Sequence, residues 1–365
     1  MQLITKRSRM VQPDGHQDAL TVTEAPANAG VVRSVGAPGG EPVPGPFGGP
    51  GGGGANKFAD NGGAVIEIAR LQLIYWGSAW GSSPAPSPTS AQVTSAVQQI
   101  FSGPYMTGLT QYRDIGRGHL LGSVVVTSSN PPNPFTDTNV SNFIAGLISA
   151  GTVPGLDAAK ANLYFVVMPK GVNSSSGGVI GEHTYYTDGS GNRIHFGWVT
   201  NNGTLPYVTN VLSHELVESC TDPEGSAILG VAGTCSGGGW CEIGDVCEST
   251  SGVVNGITVQ SYWSNTNNKC IVPAWPATTY PYSGTQFTYT IPANQTVNFY
   301  TFNWPEYEFV VWEVVPTTAG TAAEITWNVE IQRASGAYVT YWISVTNLTG
   351  APVSIQGRYT VLGIA

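Results

Sequence analysis

The sequence predicts an α/β (α+β) domain with a mixed sheet over residues 63–275, followed by an all-β sandwich over residues 276–365. Three observations carry this. Between residues 71 and 220, apolar runs of strand length alternate with segments of helical period, as in layered α/β domains. Beyond residue 276 only short alternating segments remain, separated by turn residues. Residues 1–62 are so rich in Gly, Pro and Ala that they cannot bury a core.

Each element has its own signal. Residues 1–62 read as a disordered or extended leader, either without function or serving as a pro-segment or assembly arm. Residues 65–68 and 71–76 read as strands. Ser90 caps a helix through Ile100, with Val93, Val97 and Ile100 on one stripe. Residues 124–126 read as a strand, and Asp137 or Thr138 opens a helix that turns Val140, Phe143, Ile144 and Leu147 inward. Residues 163–168 form a buried strand. Residues 185–199 read as a hairpin turning at 188–191. The third helix runs from about Pro206 to Cys220, and Pro206 suits its first turn because it has no amide hydrogen to leave unpaired. Later strands fall at 286–291, 296–302, 308–314, 324–332, 338–346 and 353–362, a sandwich pattern. There Trp304, Tyr307 and Trp342 either fill the core or stack on a carbohydrate.

Charged residues are 10% of the chain, against about 25% in an ordinary soluble protein. The surface is therefore polar but weakly charged, as in many secreted proteins. With 14 Lys+Arg against 23 Asp+Glu, the net charge is −9, and no basic patch is available to meet nucleic-acid phosphates. No run of about 18 apolar residues marks a membrane span. The basic start lacks the apolar stretch of a signal peptide. The clustered Cys220, Cys235, Cys241, Cys247 and Cys270 point instead to disulfides and an oxidising compartment. No Cys-x-x-Cys pair suggests a zinc site. These signals place the chain outside the cell or on its surface, with the cytoplasm as the alternative. Asn139, Asn173, Asn202, Asn294 and Asn347 match the glycosylation pattern.

The chemistry lies in His214-Glu215-Leu216-Val217-Glu218. His214 and Glu218, four apart on a helix, share a face and can hold one ion. Glu215 sits about 100° round the helix and can reach water beside the ion without ligating it. This is the logic of H-E-x-x-H zinc proteases, where the Glu is the general base. It makes the α/β domain zincin-like, with Glu218 replacing the second His. The ion is zinc, with calcium or manganese as alternatives because carboxylates harden the site. Downstream, Glu242 or Asp245 completes the ligand set, and the other orients His214. Asp222 is either a further ligand or a turn former. His183 and His195 flank the predicted hairpin beside the helix and either stabilise an oxyanion, bind substrate or serve the fold. No G-x-S-x-G elbow or phosphate-cradling Gly-Lys loop is present.

Ser213 to Glu218, Thr221-Asp222-Pro223, Glu242-Ile243-Gly244-Asp245-Val246-Cys247-Glu248, Tyr262-Trp263-Ser264-Asn265 and Cys270 together resemble the EXORDIUM / phosphate-induced protein 1 family and its microbial relatives. Ile74 to Gly77 and Gly181-Glu182-His183 also suit it, so the resemblance covers roughly residues 65–275. It implies a metal site and an extracellular protein. Cys247 and Cys270 stand at matching positions, which implies that they pair. Cys235 with Cys241 would close a short Gly-rich loop, leaving Cys220 free. Two functions follow as expectations. One is a metal-dependent hydrolase, a metallopeptidase, acting on a peptide or cell-surface polymer. The other is a non-catalytic surface protein braced by a structural ion.

Overall fold

A computed structural model describes residues 22–23, 32–36, 57–157, 159, 161–232, 234, 241–248, 250–275 and 277–364. The chain divides into two compact units. Strands β1 (Val22–Thr23) and β2 (Val32–Gly36) group with the C-terminal unit, described below.

The α/β unit spans Pro44–Thr278 together with Arg333–Tyr338. In chain order it holds β3 (Phe58–Asp60), β4 (Arg70–Trp76), α1 (Ser90–Ser102), β5 (His119–Val126) and α2 (Asp137–Ser149). Next come β6 (Asn162–Val167), β7 (Gly181–Thr187), β8 (Arg193–Val199), α3 (Leu205–Thr221) and β9 (Ile228–Gly230). Two short hairpins follow, β10 (Ser251–Val254) with β11 (Ile257–Gln260), and β12 (Tyr262–Ser264) with β13 (Lys269–Ile271). A further antiparallel pair joins β3 to β9.

The central sheet has the order β5-β4-β6-β8-β7, parallel except for β7, which runs antiparallel along one edge. It is thus a mixed sheet. Its inner strands are apolar on both faces, as parallel strands must be when helices cover both sides. Leu71, Leu73 and Tyr75 of β4 join one core with Val93, Val97 and Ile100 of α1 and Leu212 and Leu216 of α3. Ile74 and Trp76 join the opposite core with Val140, Ile144 and Leu147 of α2.

Two local readings need correction. Residues 65–68 are not a strand: the Ile66 amide donates to the Cys220 carbonyl, and the Glu67 carbonyl accepts from Gly116, so no ladder forms. The first helix is capped by Thr89, not Ser90, through a reciprocal bond with Gln92. The second is capped by Thr136 with Asn139 in the same way. Such capping boxes satisfy two otherwise orphaned backbone amides each.

The second unit contains β14 (Tyr282–Ile291), β15 (Thr296–Pro305), β16 (Glu308–Pro316), β17 (Ile325–Arg333), β18 (Tyr338–Asn347) and β19 (Val353–Ile364). Strands β14-β19-β16 form an antiparallel sheet, and a second sheet has the order β1-β2-β15-β18-β17. Strand β2, from the Gly/Pro-rich leader, pairs in parallel with β15. Both sheets contribute to one aromatic core that includes Phe287, Phe299, Trp304, Trp312, Tyr341 and Tyr359. Trp304 is therefore a core residue, whereas Trp342 is exposed and stacks on Tyr300. Asn347 is buried and its amide donates to three backbone carbonyls, which removes it as a glycosylation acceptor in the folded chain. No described helix is long and apolar enough to cross a membrane.

Candidate metal centre

Helix α3 is unusual in what it buries. Besides Val208, Leu212, Leu216 and Val217, it encloses Ser213, Glu215, Glu218 and Ser219. A buried carboxylate needs a partner, because desolvating an uncompensated charge costs several kcal/mol. The partners come from β7, from the 242–245 loop and from β11.

His183, on β7, points Nδ1 at Glu215 Oε2 (3.1 Å) and Glu218 Oε2 (3.9 Å). Its Nε2 lies 3.3 Å from both Glu242 Oε1 and the Asp222 carbonyl oxygen. His214 Nε2 lies 3.1 Å from Glu218 Oε2, 3.8 Å from Asp245 Oδ1 and 3.9 Å from Glu215 Oε1. Glu218 is fixed at its other oxygen, since the Gly244 and Asp245 amides both donate to Oε1 at 3.0 and 3.1 Å. That leaves Oε2 directed at the two imidazoles. Gln260 Nε2 sits 2.6 Å from His214 Nδ1 and donates to the Gly244 carbonyl at 3.0 Å, which places its amide against the back of the ring. The donor set could hold a cation: one donor atom each from His214, Glu215 and Glu218 lies within 4.8 Å of the others, and so does one each from His183, Glu218 and Glu242.

Two glycines permit this approach. A Cβ at Gly244 would stand 2.6 Å from Glu218 Oε1 and 2.7 Å from His214 Nδ1. At Gly181 it would stand 2.5 Å from Val211 Cγ1 and 2.6 Å from Glu215 Oε1. Any side chain there would separate the loop or β7 from α3. The Cys247–Cys270 disulfide ties the end of the 242–245 loop to β13. Cys220 is buried with a free thiol, and the Cys235–Cys241 pairing lies outside the described residues because Cys235 does.

Electrostatics follow the crowding. Burial works against charge on His183, but Glu242 and Glu215 outweigh it and hold the ring well above its ordinary pKa. Burial likewise opposes charge on His214, and Glu218, Glu215 and Asp245 carry it to about 10. Burial pushes Glu218 up to about 8 against the pull of His214. Without an ion, protons do the compensating. Glu242 Oε1 is buried and pairs with His183 by charge alone, with no hydrogen bond among the described residues.

The structure thus brings His183, His214, Glu215, Glu218, Glu242 and Asp245 together. It does not bring His195 in. His195 Nε2 is engaged by Glu224 at 3.1 Å, and burial first, then Arg193 and His183, depress its pKa to about 4. Asp222 takes a turn role, with Oδ1 accepting from the Ser226 and Ala227 amides at 2.6 and 2.7 Å. The sequence reading missed Gln260 and placed His183 outside the ligand set. The alternation of Gly181, His183 and Tyr185 on one strand face was the available signal for His183; nothing in the local sequence marks Gln260. Comparison with family models, curated proteins and solved structures finds no match to this chain.

Proposed function

We propose that this cluster is the centre of a metal-dependent hydrolase with a zincin-like arrangement, acting on peptide. The observation that carries the reading is Glu218: two backbone amides hold one oxygen and direct the other to within 3.1 Å of His214 Nε2. His214 and Glu218 would ligate the ion, with Asp245 at the more exposed rim. Zinc suits the imidazole and carboxylate donors, and manganese or calcium suits the carboxylate excess. A bound divalent cation supplies Lewis-acid chemistry and acidifies water beside it. Glu215 would serve as the proton acceptor, with Oε2 held by His183 at 3.1 Å. The unpaired side of edge strand β7 offers an extended peptide a strand to pair with, beside the helix that carries the cluster.

The convergence of α3 with the Glu242–Asp245 segment also supports reading these segments as one motif, and so the EXORDIUM-like resemblance. The Cys247–Cys270 bond fits an extracellular or cell-surface setting. Exposed Trp342 and its stacked partner Tyr300 leave carbohydrate contact open to the C-terminal unit.

A second reading, a structural ion in a non-catalytic protein, is favoured by the enclosure of Glu215, Glu218 and Glu242, which are 5%, 2% and 6% exposed. Structural sites are closed by protein ligands, whereas catalytic ones keep a position for water. A peptide-cleavage screen on metal-loaded protein separates them. Hydrolysis by the native chain that disappears in Glu215→Gln supports catalysis. No cleavage across a broad screen, with the metal confirmed present, would replace it with the structural reading.

A further inference from the structure

The ligating side chains fall into two overlapping triads. His214, Glu215 and Glu218 form one, His183, Glu218 and Glu242 the other, and Glu218 belongs to both. Its Oε2 stands between the imidazoles, 3.1 Å from His214 Nε2 and 3.9 Å from His183 Nδ1. In the second triad Glu242 is 6% exposed, and its Oε1 meets the His183 imidazole as an ion pair at 3.3 Å, with no hydrogen bond among the described residues. A buried carboxylate oxygen without a hydrogen bond has room for a cation.

The makeup of the cluster points the same way. Two imidazoles with four carboxylates is also the donor set of carboxylate-bridged two-metal centres.

We propose that the centre binds two divalent cations that share Glu218, one on its His214 side and the other held with His183 and Glu242. This rests on the metal-centre reading above, and the test separates the two. The full chain is stripped with chelator, titrated with Mn²⁺ or Zn²⁺ alone, and assayed for bound metal by calorimetry and by elemental analysis after desalting. The native chain should take two equivalents, and His183→Ala and the near-isosteric Glu242→Gln should each take one. The Mn²⁺-loaded native protein should give a spin-coupled paramagnetic resonance spectrum. Saturation at one equivalent would overturn the second site and leave the single-ion reading intact. No binding would overturn both. Two equivalents in both variants, or an uncoupled Mn²⁺ spectrum, would overturn the shared arrangement.

Discussion

The two units solve the problem of burial in opposite ways. In the C-terminal unit, Trp304 packs edge-on against Trp312, Tyr341 and Tyr359, and its indole nitrogen donates to Thr301 at 2.9 Å. That core is aromatic and buries no carboxylate among the described residues, and its Trp312 indole nitrogen is buried without a hydrogen bond. In the α/β unit, α3 buries carboxylates beside two imidazoles, and Glu242 Oε1 meets His183 without a hydrogen bond. Packing alone would not retain such groups, because apolar residues of similar volume are often neutral or stabilising replacements for buried charges. A buried region that stays polar and incompletely paired is where a ligand belongs. The same contrast recurs between neighbouring strands. His183 on β7 faces carboxylates that raise its pKa, whereas His195 on β8 faces Glu224, which Arg193 already engages.

Substitutions in the two regions should therefore fail differently. Trp304→Ala should cost about 3–5 kcal/mol in the unfolding transition of its own unit and leave metal content unchanged; chemical denaturation and elemental analysis check both. A loss of metal in this variant would break the contrast. Glu218→Ala should abolish tight metal binding and His214→Ala should weaken it, and native affinity in both variants would refute the ligand assignment. Glu215→Gln should keep the metal while lowering any hydrolytic rate by about 10²–10⁴-fold, since it removes only the proton acceptor. Loss of metal instead would make Glu215 a ligand.

Metal affinity should also climb with pH. In the metal-free site the His214–Glu218 pair holds a proton well above the ordinary imidazole range, because the carboxylates favour the charged ring. A cation must displace that proton, so its release strengthens apparent binding about tenfold per pH unit while the pair stays protonated. Calorimetry in buffers of different ionisation enthalpy counts the protons; pH-independent binding would contradict the electrostatic account. The smallest effect is expected at Gln260, where Ala should weaken metal binding by about 10–100-fold by freeing the His214 ring.

Much of this was legible from sequence where a local rule governs. Alternation located all six strands from β14 to β19, 3.6-residue spacing located α1 and α2, and Pro206 marked the first turn of α3. The i, i+4 pair His214/Glu218 meets because one helix fixes it. Glu242 and Asp245 were readable as acids near a motif, but their division of labour was not. Asp245 Oδ2 accepts from the Glu242 amide at 2.9 Å while Glu242 reaches toward His183, an outcome of tertiary packing. His183 and Gln260 come from strands distant in sequence, and their roles depend on how closely Gly181 and Gly244 let backbone approach α3. The strand of the leader was hidden for a similar reason: β2 is too short to announce itself and is defined by its pairing with β15.

The central claim is that imidazole and carboxylate groups on α3, β7 and the 242–245 loop hold a metal ion. X-ray absorption at the metal edge of the loaded protein tests it most directly. The account predicts a shell of nitrogen and oxygen at about 2.0–2.2 Å for zinc, with an imidazole contribution that falls in His214→Ala and no sulfur. A sulfur shell at about 2.3 Å, or a spectrum unchanged by loss of His214, would place the ion elsewhere and contradict it.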